Sequence, residues 1–354
     1  MKPTFARRAS TFARRASADK SAGKRALTLI VLIASAAATA APPRPASSEV
    51  ERPIVIAHRG ASGHRPEHTL EAYRLAVEMG ADFIEPDLVS TKDGALIARH
   101  ENEISGTTDV ADRFPDRKSS KTIDGQSLGG WFTEDFTLAE IKTLRARERL
   151  PFRSHDYDGR FQIPTFDEVI ALARQLGATR GRPVGIYPET KHPTYFRGIK
   201  LPLEEPLLAS LEKQGWNTRD APVFIQSFEQ ANLRELRKKT KVRLVQLAAT
   251  PALVSEAALK DVASYADGLG PEKRLVIPVN PDGSLGTPTD VVARAHALGL
   301  VVHVWTVRVE PQFLPAGYKG NALAEFEQLR QLGVDGVFTD FPDLGVKAYG
   351  PAPK

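Results

Sequence analysis

IVIAHRGASGHRPEHTLEAYRLAVEMGADFIEPDLV, residues 54–89, holds one full period of the pattern that organises the chain. Ile54-Val55-Ile56-Ala57 is a short apolar run that ends abruptly in His58, Arg59 and Gly60. From Thr69 to Met79 the apolar residues recur at spacings of three and four, the signature of an amphipathic helix, and Gly80 follows as a helix stop. Asp82 to Val89 is apolar and β-rich again, carrying Glu85 and Asp87. Strand, helix and strand in this compass read as a parallel βαβ unit.

Outward from this unit the alternation continues. Strands are expected at 53–58, 83–89, 184–189, 223–227, 243–248, 267–270, 300–306 and 336–340. Helices are expected at Thr69–Met79, Leu203–Gln214, Gln230–Lys239, Ser255–Tyr265, Thr289–Leu298 and Ala322–Leu332. Eight strands alternating with helices predict an α/β fold, a (β/α)8 TIM barrel over residues 53–347 with a tail at 348–354. An open doubly wound sheet is the structural alternative. It would announce a nucleotide site by a glycine-rich first turn, and Gly268-Leu269-Gly270 lacks the third glycine. Residues 101–165 break the rhythm. They are polar and turn-rich, with a short helix expected at Leu138–Leu144, and predict an insertion after the second strand, over one end of the barrel.

The chain has 354 residues, 42% hydrophobic and 26% charged, the balance of a globular protein. Its net charge of +5 is unevenly placed. Residues 1–40 contain eight bases and one acid, leaving 40 bases against 42 acids in the remainder, so the body is slightly acidic and no nucleic-acid partner is expected. The basic stretch runs into the apolar Ala26–Ala34 and a small-residue tract with Ala38-Thr39-Ala40 at its end. This is the layout of a secretory signal peptide over residues 1–40. The apolar run is shorter than the roughly 20 residues of a membrane span. Export to the periplasm, or secretion, is therefore expected, with no stable membrane insertion after cleavage. A linker at 41–52 contains Pro42, Pro43 and Pro45. The tandem Thr4–Ser10 and Thr11–Ser17 copies include Arg14-Arg15, a weak match to twin-arginine export. No cysteine is present, so there is neither a disulfide framework nor a lipid-attachment site.

In a barrel of this kind, reactive groups come from the C-terminal ends of strands. Strand one ends in His58-Arg59. Strand two carries Glu85 and Asp87 two apart, on one side of an extended chain. The segment Ala95–Glu101 delivers His100, and strand three delivers Glu189 and Lys191. Three carboxylates in one mouth repel one another and hold their protons unless a cation is present. A hard divalent ion, Ca²⁺ or Mg²⁺, resolves the conflict. Two histidines beside it suit a general acid and a general base, and Arg59 with Lys191 suits a phosphoryl oxygen. The residues by themselves lead to metal-assisted hydrolysis of a phosphate ester.

These motifs, His58-Arg-Gly60, Pro66-Glu-His-Thr-Leu70, Gly80–Asp87, Thr91-Lys-Asp-Gly94 and His100-Glu101, resemble the glycerophosphodiester phosphodiesterase family in order and spacing. So do Thr107–Pro115, Gly185–Lys191, Ala266–Gly270 and Phe338–Pro342, and together they look like its periplasmic, calcium-dependent branch. The resemblance spans about residues 53–347. It implies His58 and His100 as the acid–base pair, Glu85, Asp87 and Glu189 as ligands of Ca²⁺ or another divalent ion, and Arg59 and Lys191 as phosphate contacts. Glu67, Glu101 and Trp305 are supporting residues near the site. The implied substrates are small glycerophosphodiesters, split into sn-glycerol 3-phosphate and an alcohol such as choline, ethanolamine or glycerol. Direct attack by water and attack by the substrate's own hydroxyl through a cyclic phosphate are both compatible with it.

The family often has Asn where His68 stands and Asp where Glu101 stands. His68 reads as a helix-start residue and His64 as part of a loop facing the insertion. Pro86, between two ligand candidates, has no explanation at this level. Trp131, Phe132, Trp305 and Phe313 are candidates for the wall of the alcohol pocket. The alternatives from other classes are an exported binding or adhesion protein on the same barrel, which would show no metal-dependent turnover, and a phospholipase D-like lyase, which would prefer intact lipids.

Overall fold

The computed structural model describes residues 52–351. The expected leader at 1–40, the linker through Glu51 and the last three residues of the tail lie outside the described residues.

The strands are β1 (Ile54–His58), β2 (Phe83–Glu85), β3 (Asp87–Ser90), β4 (Leu96–Ala98), β5 (Ser119–Ile123), β6 (Gln126–Gly130), β7 (Gly185–Ile186), β8 (Glu189–Thr190), β9 (Phe224–Ser227), β10 (Arg243–Ala248), β11 (Gly268–Pro271), β12 (Val301–Val307) and β13 (Gly336–Thr339). Eleven of them form one curled sheet, in the order β4-β3-β8-β9-β10-β11-β12-β13-β1-β2-β7. Every pairing in it is parallel except β3 with β4. A parallel bridge between Ile186 and Val223 also ties β7 to the residue before β9. The architecture is α/β and TIM-barrel-like.

Two expected strands are broken, each at a proline. Residues 83–89 divide at Pro86 into β2 and β3, and residues 184–189 divide at Pro188 into β7 and β8. Proline has no N–H for the ladder, but its carbonyl still accepts. Glu189 N–H donates to Pro86 O at 3.0 Å, and Gln226 N–H donates to Pro188 O at 2.9 Å. Each break falls immediately before a carboxylate, Asp87 or Glu189, and these two are direct partners across β3 and β8. Pro86 thus marks where the strand leaves one ladder and joins the next. The excursion at 95–101 folds back as β4, antiparallel to β3.

At the N-terminal ends of the strands one device recurs three times. Asp82 donates its backbone N–H to Val55 O and accepts Val55 N–H on its side chain, both at 2.9 Å. Asp267 does the same with Leu244 and Asp335 with Val302. Each aspartate side chain satisfies the amide of the second residue of the neighbouring strand, a group otherwise left without a ladder partner. Arg52 and Arg182 pair with Asp82, Arg219 and Arg237 with Asp267, and His296 with Asp335.

The helices pack outside the sheet, and their buried faces form the larger core. Helix Leu70–Glu78 starts where expected, with the Thr69 side chain accepting Ala72 N–H. Helix Phe166–Arg180, which the sequence reading did not anticipate, opens with a capping box between Thr165 and Glu168 and ends at Gly181, φ 73°. Residues 101–165 hold the antiparallel β5–β6 hairpin, and the helix expected at 138–144 covers Leu138–Ile141. Among the described residues no helix is long and apolar enough to cross a membrane.

A second core lies inside the curl of the sheet: Ile56, Tyr187, Phe224, Val245 and Phe338. Tyr187 stacks on Phe224 at 5.0 Å and meets Phe338 edge-on at 4.9 Å, while its hydroxyl bonds His303 Nδ1 at 2.8 Å. These rings form the floor beneath the strand ends. Phe224→Ala should cost about 3–5 kcal/mol in chemical denaturation, because the closed ring of neighbours cannot collapse onto the gap. A loss below about 1 kcal/mol would mean that the floor contributes little to packing.

Candidate active site

β1 delivers its last residues into a tight left-handed turn. Arg59 has φ 61° and Gly60 φ 86°. A Cβ on Gly60 would lie 2.7 Å from the carbonyl carbon of Ala72, so both conformation and space require glycine. Arg59 is not glycine, and its strain is offset by what the turn achieves: its N–H donates to Glu85 Oε2 at 2.8 Å. The side chain then runs to Glu67, with Nη1 2.9 Å from Oε2, and its Nε lies 3.5 Å from Asp87 Oδ2.

Glu85, Asp87 and Glu189 are buried, with one oxygen from each lying within 4.8 Å of the others. Glu85 is held from both sides, by the Arg59 amide and by Gln226 Nε2 at 3.0 Å. Glu189 Oε1 lies 2.9 Å from Lys191 Nζ. Asp87 Oδ2 accepts from His68 Nε2 at 2.9 Å, while its Oδ1 is buried with no hydrogen-bond partner. Oxygen donors from three carboxylates, one oxygen unsatisfied, fit a hard divalent cation.

The charges show the same demand. Burial, then Asp87 and Glu189, push the Glu85 carboxyl well above the usual range. Burial raises Glu189 to about 8, with Asp87 adding to the rise and Lys191 opposing it. Burial works on Asp87 too, but Lys191 and the His68 hydrogen bond hold it well below the ordinary value. A cluster in which one carboxylate ionises readily and two resist is short of positive charge.

His58, Arg59, His100, Lys191, Trp305 and Phe313 share with Glu85 and Glu189 the lining of a cavity of about 350 Å³. His58 Nδ1 lies 2.6 Å from Asp340 Oδ1. Burial and Arg59 bring His58 down to about 4, against the pull of Asp340. The neutral ring donates from Nδ1 to the carboxylate, which leaves Nε2 as an acceptor. Burial, Arg59 and Lys191 likewise hold His100 well below its ordinary value. Two neutral imidazoles, two fixed cations and a cation-seeking carboxylate trio therefore meet around one cavity.

Several expectations need correction. His68 is no mere helix-start residue: it is fully buried, takes φ 56°, and connects Tyr73 OH (2.8 Å from Nδ1) to Asp87. The His64 side chain itself meets Asp343, with Nε2 at 3.2 Å, and sets its ring edge-on to Phe341, while its loop does face the 101–165 segment: Ser62 O accepts from Arg153 and Arg65 lies over the Tyr157 ring. Trp305 and Phe313 line the cavity, but Trp131 and Phe132 do not. The Trp131 indole donates to Phe114 O at 2.7 Å, and Phe132 is buried in the core. Glu67 is buried and salt-bridged to Arg59 and Arg149. Glu101 lies on the rim, 3.1 Å from His100.

Other groups were not foreseen. Asp340 accepts from His58, from Arg153 at 2.6 Å and from Arg308 at 2.8 Å. Gln226 holds Glu85, and buried Arg99 braces the loop by donating to the carbonyls of Glu67 and His68. Asp340 had a signal, since it follows β13 at the reactive end. Arg153 had none, because the fold alone brings it there.

The family model of the glycerophosphoryl diester phosphodiesterase family matches residues 58–344. The chain is 41% identical over 322 residues to a glycerophosphodiester phosphodiesterase of Arabidopsis thaliana, covering 83% of this chain and 85% of the relative. It is 32% identical over 334 residues to one of Haemophilus influenzae, covering 83% and 89%. A solved phosphodiesterase of Oleispira antarctica, in complex with the product sn-glycerol-3-phosphate, superposes with a TM-score of 0.60 at 23% identity, over 84% of this chain and 96% of that one. At that identity the superposition bears on the fold alone. The match to the family runs from His58, at the end of β1, to Leu344, four residues past Asp340, and the chain belongs to the glycerophosphoryl diester phosphodiesterase family and is an enzyme.

Proposed function

We propose that the enzyme hydrolyses small glycerophosphodiesters, deacylated phospholipids such as glycerophosphocholine, glycerophosphoethanolamine and glycerophosphoglycerol, to sn-glycerol 3-phosphate and an alcohol. The observation that carries this reading is the clustering of Glu85, Asp87 and Glu189, two of which, Glu85 and Glu189, share the lining of one cavity with His58, His100, Arg59 and Lys191. The curled sheet is read as an eight-stranded barrel over residues 53–347, β2 with β3 and β7 with β8 each forming one strand, and residues 101–165 as an insertion after the second. The leader pattern at 1–40 supports export, in keeping with the periplasmic, calcium-dependent branch.

Glu85, Asp87 and Glu189 would hold Ca²⁺, or another divalent ion, which when bound polarises a phosphoryl oxygen and offsets developing charge. Arg59 and Lys191 bind and orient the phosphate by charge-assisted hydrogen bonds. His58, its Nδ1 proton committed to Asp340, offers Nε2 for proton transfer, and His100 acts from the other side. One imidazole, neutral, takes the proton of the attacking hydroxyl on Nε2; the other must first take up a proton on Nε2, becoming an imidazolium, and passes that proton to the departing alkoxide. Trp305 and Phe313 wall the part of the cavity that receives the alcohol.

The direct test is a coupled assay for glycerol 3-phosphate release from glycerophosphocholine, with calcium and with chelator. Release with calcium and none with chelator is expected. His58→Ala and His100→Ala should each lower turnover by about 10²–10⁴-fold with the fold intact. A near-wild-type rate in either would remove that histidine from the chemistry.

The carboxylate trio also predicts how stability depends on pH. Glu189 has an ordinary value of 4.5 and a folded, metal-free value of about 8. Between these limits the unfolded chain has lost a proton that the metal-free fold retains. Stability therefore falls as pH rises through this window and levels off above it. A divalent ion binds the ionised form and reverses the loss. The gain in Tm on adding calcium to chelator-treated protein should grow between pH 5 and pH 8, read by thermal unfolding. In Glu189→Ala this growth should shrink.

A further inference from the structure

His100 has a carboxylate at its back, and that carboxylate is itself held. Glu101 Oε1 lies 3.1 Å from His100 Nδ1, while Glu101 Oε2 lies 2.7 Å from His192 Nε2. His192 Nδ1 in turn lies 2.6 Å from Asp124 Oδ2. Four residues from three separate parts of the chain form one line. His100 and Glu101 follow β4, His192 follows Lys191 beyond β8, and Asp124 sits at the turn of the β5–β6 hairpin.

Two features set this line apart from a chance run of surface charges. Both ring nitrogens of His192 face carboxylate oxygens, and against the effect of burial the bonds to Glu101 and Asp124 raise its pKa, favouring the ring that donates from both nitrogens. His192 also takes a left-handed backbone conformation, φ 47°, which is costly for a residue with a Cβ, whereas the φ of 48° at Asp124 is what the two-residue Asp124-Gly125 hairpin turn requires. The left-handed turn at His192 comes directly after Lys191, which goes to the cavity, and His192 itself goes to the rim. The arrangement parallels that at the other imidazole, where Asp340 sits behind His58 Nδ1 and is held by Arg153 and Arg308.

We propose that Glu101, His192 and Asp124 are positioning residues for His100, fixing its ring and keeping its proton on Nδ1 so that Nε2 faces the substrate. The proposal rests on the role of His100 given above. It also accounts for glutamate at position 101: one side chain spans His100 and His192 with its two oxygens. The hairpin of the 101–165 segment acquires a function as well, because its turn holds the far end of the line.

The other charges facing His100 are Arg59, Lys191, Asp87 and Glu67, and substitutions at Glu101, His192 and Asp124 leave all four in place. In the calcium-loaded protein, Glu101→Gln should lower kcat by about 10–100-fold, the range for the carboxylate partners that orient metal-bound imidazoles. KM should be unchanged, and the pH profile of kcat/KM should shift on the limb that His100 governs. Glu101→Asp should recover part of the rate. His192→Gln should show a smaller loss and Asp124→Asn a smaller one still. Glu101→Gln combined with His192→Gln should be no worse than Glu101→Gln alone.

Nitrogen-15 NMR of the imidazole, without substrate, reads the tautomer directly: the Nδ1–H form of His100 should lose population in Glu101→Gln. Wild-type kcat with an unchanged tautomer in Glu101→Gln would overturn the proposal, as would a rise in KM alone. A fully active His100→Ala would instead overturn the role of His100, while the tautomer measurement would still report on the line behind it.

Discussion

The constraint on which the site depends is the mutual repulsion of Glu85, Asp87 and Glu189. Three buried carboxylates with oxygens within 4.8 Å of one another are unfavourable in a protein interior unless their surroundings supply positive charge. Much of the architecture near the strand ends does this. The left-handed turn after β1 aims the Arg59 amide at Glu85, the Arg59 side chain lies against Asp87, Lys191 contacts Glu189, and His68 donates to Asp87. The balance stays incomplete, since Glu85 and Glu189 still hold their protons above the usual range. A divalent cation is the chemical complement of that deficit.

The prolines in the second and third strands belong to the same problem. At Pro86 and Pro188 the chain passes from the lower ladder, β2 with β7, to the upper one, β3 with β8. The upper ladder places Asp87 beside Glu189, so repulsion is built into a directly paired register. It is tolerated where the strands end and ligands enter, far from the aspartate clamps at the opposite end that fix the lower edge.

The strand–helix alternation was legible because strands buried on both faces read as continuous apolar runs and helices keep their period. The reactive strand ends were legible for the same reason: Glu85, Asp87, His100, Glu189 and Lys191 interrupt apolar stretches where a barrel would open. Contacts made by the fold across long separations were not. His58 and Asp340 are 282 residues apart, and Arg153 reaches Asp340 from a segment with no periodicity of its own. His68 was misread because its position before a helix suggested a cap, whereas Thr69 caps the helix and the imidazole turns inward to Asp87. Helix Phe166–Arg180 escaped notice although Thr165-Phe-Asp-Glu168 is a capping box, since it follows an irregular stretch rather than a strand. The Trp131 and Phe132 assignments failed because an aromatic side chain carries no sign of whether it faces a cavity or a core.

Residues 101–165 do not line the cavity, yet they supply charge to the groups around it. Arg149 neutralises Glu67 and Arg153 neutralises Asp340, two buried acids anchored in the loop after β1 and just beyond β13. These acids flank Arg59 and His58 in turn. A shortened variant that joined β4 directly to the following helix would therefore not be a simpler version of the same machine. It would strand two interior anions without half their counter-charge, and the disturbance would arrive at the first strand rather than at the cut. In engineering terms the segment is not a module: its removal is felt most where the chain is least altered.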